Sequence, residues 1–388
     1  MNTVRVAYLN PLPTGRVLVT SDVHGHLRHL QAVLEQAGFG GDDLLILVGD
    51  LTEKGPDSLA TLRFVGDLVE QGRAISAWGN VDYLRVHAME DLKRDPSTAE
   101  KFLAYLRWMR DWKGTSLFDE MCRELGEAPD TAEDILKILP AVEDRFAPEL
   151  DFLRAQPTVI ETPRYRFVHG GLKRERLSEN LSCHPWELLK LDDFPATARR
   201  AGMRMEKYTV VGHWPVSIND LPHADCNPIT DHETRIISID GGCGLKREGQ
   251  LNLLVLPSID APPEAVTHLY YDDLPTKKVL RDQAASEATV YIRYGDAAVR
   301  ILRLCGDSVR GVAEVEHIST ARRLWVPLDY LYDSPPPDQL QPGDTATCED
   351  VSDYRLPLRA GETVSVICET AEGTYAKKNG VSGWIDGE

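Results

Sequence analysis

Residues 16–25 of the chain read RVLVTSDVHG, and this stretch decides the fold. Its first half is rich in β-branched residues, which is typical of a buried strand. The strand then runs into a polar loop that contains Asp22 and His24. Ligands of α/β sheets bind where strands end and loops begin, so this loop is a candidate functional site.

The same arrangement recurs along the chain, with an apolar run that leads at once into glycine and a polar residue. Helices are predicted between the first runs, over about residues 27–37 and 57–71, from apolar side chains at helical spacing. This alternation of strands and helices predicts a layered α/β core. The runs and their polar ends are 44–48 with Asp50, 73–78 with Asn80, 159–168 with His169, 208–211 with His213, and 235–239 with Asp240, and residues 251–256 form a further strand-like run.

The strand ends supply carboxylate, amide and imidazole groups, which suit manganese, iron or zinc as ligands. Two such cations held close together can clamp a phosphoryl group and activate water near neutral pH. The sequence therefore predicts a phosphoesterase with two divalent metal ions. The candidate metal ligands are Asp22, His24, Asp50, Asn80, His169 and His213.

Length and charge limit the remaining possibilities. The chain has 388 residues, which favours one large domain plus smaller ones. A net charge of −18 argues against nucleic acid polymers and anionic membranes as partners. Seven cysteines without tight spacing and an N-terminus without an apolar signal segment predict a cytoplasmic protein.

Two regions depart from the α/β pattern. A helical insertion is predicted over about residues 84–156, where Trp108 and Trp112 are interpreted as packing residues. The catalytic domain is predicted to end near residue 260, after which the chain is β-patterned and broken by a proline-rich segment at 334–344. Residues 285–333 and 342–388 resemble Src-homology-3-like small barrels, which could recruit a peptide or protein partner. One irregular β-domain is the alternative.

The strand-end motifs together resemble those of the calcineurin-like metallophosphoesterases, in particular the phosphoprotein phosphatases and the bacterial diadenosine tetraphosphate hydrolases. The resemblance covers about residues 16–256 outside the helical insertion. It implies a layered β-sandwich core flanked by helices. It also implies that Asp22 and His24 bind one metal, that Asp50 bridges both, and that Asn80, His169 and His213 complete the second site. Asp240 is interpreted as a turn-holding residue.

Two positions depart from the family pattern. The family usually has Asp-Arg where this chain has Glu53 and Lys54, and a histidine where it has Val81. In the family this histidine protonates the leaving oxygen, which valine cannot do. Lys54 can still pair with a phosphate oxygen as a point charge. His26 and His87 are candidate replacement acids, but the favoured interpretation of each is a solvated side chain, His26 at a helix start and His87 on the surface of the insertion.

The interpretation is a dimetal phosphohydrolase that cleaves a phosphoester by metal-activated hydroxide and is similar to serine/threonine protein phosphatases. Asp50, Lys54 and Asn80 are the predicted catalytic residues, and Lys54 and Asn80 the predicted phosphate contacts. One alternative is a dinucleoside polyphosphate hydrolase or phosphodiesterase, favoured by the missing acid because a leaving group of low pKa needs little protonation. The other is a non-catalytic, metal-holding binding module.

Overall fold

The computed structural model describes residues 3–219, 221–287, 289–306, 311–333, 335 and 339–386. These residues form two compact units. The first holds the described residues up to Pro215 together with Pro228–Leu245 and Gly249–Asp272, and the second holds Val216–Asn227, Lys246–Glu248 and those from Asp273 onward. Part of the proline-rich segment at 334–344 lies outside the described residues.

The first unit contains two β-sheets. A five-stranded sheet has the order β11-β10-β2-β3-β4, and a six-stranded sheet has the order β1-β5-β6-β7-β9-β8. Strands β2, β3 and β4 run parallel to one another, as do β6, β7 and β9. The strands are β1 Val6–Tyr8, β2 Val17–Thr20, β3 Leu44–Leu47, β4 Ala74–Ser76, β5 Val159–Glu161, β6 Tyr165–Val168, β7 Tyr208–Val211, β8 Ile229–Asp231, β9 Ile236–Ser238, β10 Leu251–Leu256 and β11 Thr267–Tyr271.

Alternation along the strands divides their side chains between two layers of core. Successive side chains of a strand point to opposite faces, so Val17 and Val19 of β2 enter one cluster and Leu18 enters another. The shared cluster also contains Phe167 and Val210 from the six-stranded sheet, so it lies between the two sheets. The outer faces pack against helices, which gives the predicted layered sandwich and confirms the fold class.

Nine helices are present in the described part of the first unit. Five of them, α3 to α7, follow β4 directly and precede β5, which agrees with the predicted helical insertion. None of the described helices is long and apolar enough to cross a membrane. The helices are α1 Leu27–Gln36, α2 Ser58–Glu70, α3 Asn80–Arg94, α4 Ala99–Lys113, α5 Leu117–Glu124, α6 Ala132–Arg145, α7 Ala147–Ala155, α8 Trp186–Leu189 and α9 Phe194–Arg200.

Two predictions about this unit were wrong. Residues 159–168 form an antiparallel pair of strands, β5 and β6, instead of one strand. Pro163 has no N–H to donate to a strand ladder, and the Thr162 hydroxyl closes the turn by accepting from Tyr165 N at 2.9 Å. Trp108 and Trp112 are exposed on the surface of α4 and do not pack in the core.

The insertion and the loop after β3 exchange hydrogen bonds at two helix N-termini. Glu120 of α5 accepts from the first two amides of α2, Ser58 N at 2.9 Å and Leu59 N at 2.8 Å. In return, Glu53 from the β3 loop accepts from Leu117 N, the first amide of α5, at 3.2 Å. The first amides of a helix have no partner within the helix, so each carboxylate satisfies donors that the other segment leaves open.

In their regular structure, the described residues of the second unit form strands only, apart from two short 3-10 turns at Val216–Ile218 and Leu328–Tyr330. Its sheets have the orders β12-β20-β21-β22, β16-β15-β14-β18-β17 and β13-β19. Pairing of β14 with β18 brings both predicted segments, 285–333 and 342–388, into one sheet, and their assignment as Src-homology-3-like domains stays a prediction. The strands are β12 Thr276–Lys278, β13 Tyr291–Ile292, β14 Ala298–Cys305, β15 Val312–His317, β16 Arg322–Pro327, β17 Leu331–Tyr332, β18 Thr345–Cys348, β19 Val351–Ser352, β20 Thr363–Glu369, β21 Gly373–Lys378 and β22 Val381–Asp386.

Candidate metal centre

The strand ends of both sheets bring the six candidate ligands to one place. Asp22 and His24 follow β2, Asp50 follows β3, and Asn80 is the first residue of α3 after β4. From the other sheet, His169 follows β6 and His213 follows β7. All six follow strands that run parallel to a neighbouring strand, and the carboxyl ends of these strands meet at one edge of the sandwich.

Asp22, His24 and Asp50 form a buried group that could hold a metal ion. Their potential ligand atoms all lie within 4.8 Å of one another. His24 Nδ1 lies 3.2 Å from the Thr52 carbonyl oxygen, which places its proton there and leaves Nε2 as the ligand atom. That Nε2 lies 3.7 Å from a carboxylate oxygen of each of Asp22 and Asp50.

Asp50 is shared with a second group, which contains Asn80, His169 and His213. His169 Nε2 lies 3.0 Å from Asn80 Oδ1 and 3.5 Å from Asp50 Oδ2, while its Nδ1 lies 2.8 Å from the Val48 carbonyl oxygen. The His213 ring centroid is 5.2 Å from that of His169. The sharing of Asp50 by both groups fits a carboxylate that bridges two cations.

Two outer contacts orient His213 and the Asp22 carboxylate. His213 Nε2 lies 2.7 Å from Asp192 Oδ1, so Nδ1 is the nitrogen left for a metal. The His213 backbone N–H donates to Asp22 Oδ2 at 3.0 Å. Sequence reasoning missed Asp192, because it lies in a short polar segment between α8 and α9 that has no ligand-like spacing.

Lys54 and His169 bring positive charge close to the two groups. Lys54 Nζ donates to His24 Nε2 at 2.8 Å, at the ring nitrogen that is otherwise available to a metal. Burial lowers the pKa of His169, but Asp50 and Asp22 outweigh it and raise the pKa to about 9. The buried carboxylates of Asp22 and Asp50 attract positive charge, so the donor set fits metal binding.

The remaining ligand groups have pKa values that follow from their burial. Burial lowers the pKa of His213 to about 4, and the nearby His169 cation acts in the same direction. Burial lowers the pKa of His24 well below its usual value, with Lys54 adding to the effect. Neutral imidazoles are the form that binds metals, so the lowered pKa values of His24 and His213 are compatible with metal binding.

The backbone at the site adopts left-handed conformations that non-glycine residues avoid. The φ angles are 55° at Asp22, 48° at His24, 53° at Asp50 and 65° at His213. Such residues cost roughly 1–3 kcal/mol each and concentrate at functional sites. The turns are held by backbone hydrogen bonds, among them His24 N to Asp50 O at 2.9 Å.

Close backbone approach explains why glycines precede two of the candidate ligands, Asn80 and His213. A Cβ added at Gly79 would lie 2.0 Å from Asp50 Oδ1, and one added at Gly212 would lie 2.2 Å from Asp22 Oδ2. Any larger residue would displace the carboxylates. The Gly-Asn and Gly-His pairs in the sequence are therefore required by packing at the centre.

The start of α3 supports the ligand loop through backbone contacts. Val81 N donates to Asp50 Oδ1 at 2.8 Å. The buried Asp82 carboxylate accepts from Leu51 N at 3.0 Å, Thr52 N at 3.1 Å and Thr52 Oγ1 at 2.8 Å. Sequence reasoning gave Asp82 no role, although a fully buried acid at a helix start signals a local hydrogen-bonding duty.

The other sequence candidates lie beside the centre or in the helical insertion. Glu53 points into the insertion, where its Oε1 is 3.6 Å from Arg85 Nε. His26 Nδ1 is 2.8 Å from the His24 carbonyl oxygen. His87 Nδ1 is 3.1 Å from Glu90. Asp240 accepts from Gly242 N at 2.8 Å, which is the turn contact expected of it.

The fold and this centre define a metal-dependent phosphoesterase, as the sequence predicted. Residues 15–232 match the family described as calcineurin-like phosphoesterase, and the chain belongs to that family. It is 26% identical over 254 residues to the symmetrical bis(5'-nucleosyl)-tetraphosphatase of Shewanella sp. (strain W3-18-1), a match that covers 57% of this chain and 88% of the relative. The enzyme of the same name from Vibrio campbellii (strain ATCC BAA-1116) is 26% identical over 255 residues, with 58% and 90% covered.

Solved structures are also similar to the chain. A protein serine/threonine phosphatase from Saccharomyces cerevisiae aligns over 70% of this chain and 84% of its own, with a TM-score of 0.41 and 11% identity. A metallophosphoesterase from Sphaerobacter thermophilus aligns over 66% of this chain and 88% of its own, with a TM-score of 0.35 and 19% identity.

Proposed function

We propose that the protein hydrolyses dinucleoside polyphosphates, with two divalent metal ions and a nucleotide as the leaving group. The symmetrical bis(5'-nucleosyl)-tetraphosphatases it is similar to support this substrate class. In the proposed reaction, water attacks one of the two central phosphorus atoms of a dinucleoside tetraphosphate. The bridging P–O bond breaks, and two nucleoside diphosphates and a proton are released.

The residue roles follow from the geometry of the two ligand groups. Asp22 and His24 would hold one ion, Asp50 would bridge, and the second ion would take the three remaining ligands, Asn80, His169 and His213. Manganese, iron or zinc bound there would polarise the phosphoryl group and activate water. Lys54, adjacent to His24 Nε2, would pair with a phosphate oxygen once an ion takes its place on the imidazole.

The observation that carries the proposal is Val81. Its side chain has no proton to transfer, and its N–H donates to Asp50. Glu53, which stands where the family has the orienting Asp, points into the insertion instead of toward position 81. General acid catalysis contributes roughly 10²–10⁴-fold, so this centre favours leaving groups that depart as stable anions. A nucleoside diphosphate departs in this way, whereas the serine alkoxide of a phosphopeptide does not.

The sequence also predicted a similarity to serine/threonine protein phosphatases, so a phosphoserine peptide serves as the comparison substrate. The manganese-loaded full-length protein should be assayed with diadenosine tetraphosphate, p-nitrophenyl phosphate and a phosphoserine peptide. We expect kcat/KM to be highest for diadenosine tetraphosphate and lowest, by at least about 100-fold, for the phosphopeptide. A phosphopeptide that matches or exceeds the dinucleotide would refute the proposal, and a metal-loaded protein inactive on all three would support the binding-module alternative.

A further inference from the structure

Helix α4 carries two exposed tryptophans that are stacked on each other. The ring centroids of Trp108 and Trp112 are 4.9 Å apart, with an angle of 28° between the ring planes. The side chains remain 54% and 41% exposed. Lys113 Nζ lies 4.5 Å from the Trp112 ring centroid, so a cation borders the pair.

Such a pair is unusual on a surface, because burial of a large aromatic side chain is strongly favourable and most are covered on folding. Met109 on the same helix is buried, so α4 does have a core-facing side. The two indoles lie beside that side and offer a flat, preformed aromatic surface to solvent.

Both ends of this stretch of α4 contact residues that lie next to the loops of the candidate metal centre. At the C-terminal end, Lys113 Nζ donates to the Gly244 carbonyl oxygen at 2.7 Å. Gly244 lies against His26, since a Cβ added to it would be 2.3 Å from the imidazole ring. His26 is two residues from His24, a candidate ligand.

At the other end, Tyr105 packs under Arg85, whose guanidinium carbon lies 3.6 Å from the tyrosine ring centroid. Arg85 faces Glu53, which directly precedes Lys54. Tyr105 and Lys113 are about 12 Å apart along the helix axis. The tryptophans therefore lie on a segment anchored at both ends to loops that carry residues of the centre.

We propose that Trp108 and Trp112 form a stacking platform for a nucleobase of the substrate. The inference rests on the proposed function, because it assigns the nucleoside end of the same substrate. Base stacking on aromatic side chains provides affinity without sequence preference. The Lys113 ammonium beside Trp112 adds attraction for the anionic phosphate chain, in a protein whose net charge of −18 otherwise repels it.

A binding experiment tests the platform independently of turnover. Dissociation constants of ADP and of inorganic pyrophosphate are measured by calorimetry on the manganese-loaded full-length protein, on Trp108→Ala, on Trp112→Ala and on the double variant. Stacking of one base changes affinity by about 5- to 150-fold, so the ratio of the ADP constant to the pyrophosphate constant should rise about 5-fold or more. Leu181→Ala removes an exposed apolar side chain elsewhere in the same unit and serves as the matched control.

A double variant with an unchanged ratio would overturn the platform, including the case in which both constants weaken equally because the centre itself is disturbed. Replacement of both residues by phenylalanine should restore most of the ratio, since the ring faces are kept. If ADP binding depends on the tryptophans but diadenosine tetraphosphate is not hydrolysed, the platform stands and the proposed function falls. If the dinucleotide is hydrolysed and the ratio is unchanged, the function stands and the platform falls.

Discussion

Replacement of Glu120 should weaken the contact between the helical insertion and the start of α2, which follows the loop that carries Lys54. The Glu120 carboxylate is buried and accepts from Ser58 N at 2.9 Å and Leu59 N at 2.8 Å. Burial raises the pKa of Glu120, so ionisation of this carboxyl group opposes folding. The contribution of Glu120 to stability comes from satisfying two amides that would otherwise be buried without a partner.

The expected magnitude follows from those two amides. A buried donor left without an acceptor costs about 1–3 kcal/mol, so Glu120→Ala should lower the free energy of unfolding by about 2–6 kcal/mol. Glu120→Gln keeps one acceptor oxygen and should lose about half of that. Glu124→Gln on the same helix is the control, because Glu124 pairs with Arg63 and Arg145 at the surface and such pairs contribute about 0–1 kcal/mol.

Urea unfolding of the metal-free proteins, followed by tryptophan fluorescence, measures these differences. The slope of the transition should stay constant if only stability has changed. If Glu120→Ala lowers the free energy of unfolding no more than the Glu124→Gln control does, water or a shifted side chain satisfies the two amides. The proposed link between the insertion and the start of α2 would then be wrong.

Three further predictions concern the centre. Asp50→Asn should abolish phosphoesterase activity and lower the bound metal content while leaving the circular dichroism spectrum unchanged; full activity would exclude the bridging role. Lys54→Gln should raise KM for diadenosine tetraphosphate by about tenfold, because one charge-assisted phosphate contact is lost. Lys54→Arg retains the charge and serves as the control. An unchanged KM in Lys54→Gln would exclude this contact. Burial raises the pKa of Glu53 to about 7, so the folded protein holds this proton to a higher pH than the unfolded chain and loses stability between about pH 4.5 and 7. The difference in unfolding free energy between metal-free Glu53→Gln and the native protein should therefore shift in favour of the variant by up to about 3 kcal/mol from about pH 5 to pH 8. A difference that stays constant with pH would contradict this prediction.

Sequence patterns predicted the strand ends well, because a buried strand and the polar residues after it can be recognised from a few consecutive residues. The runs that lead to Asp22, Asp50 and His213 are short, apolar and followed by glycine or polar residues. The edge strand β1 has no such pattern, since it consists of three residues that pair with β5, of which two are half-buried and Tyr8 is exposed. Its existence depends on a partner more than a hundred residues away.

Side-chain direction was the part that local patterns could not give. Glu53 stands in the family's catalytic motif, yet it points toward α5, because the first amide of that helix needs an acceptor. Trp108 and Trp112 fit a helical core pattern, but both side chains are exposed on α4 among the residues that the structure describes. Both outcomes are decided by contacts between distant segments, and sequence spacing within one segment carries no information on them.

The left-handed backbone at the ligand residues has a consequence for engineering and for divergence of this fold. Glycine adopts φ angles near 55° without strain, so substitution to glycine at Asp22, His24, Asp50 or His213 relieves local strain while it deletes a ligand. Selection on thermal stability alone weighs this relief against lost contacts, such as the His213 N–H bond to Asp22, and gives no weight to metal binding. A stabilised catalyst requires a selection that reads metal loading or turnover together with the melting temperature.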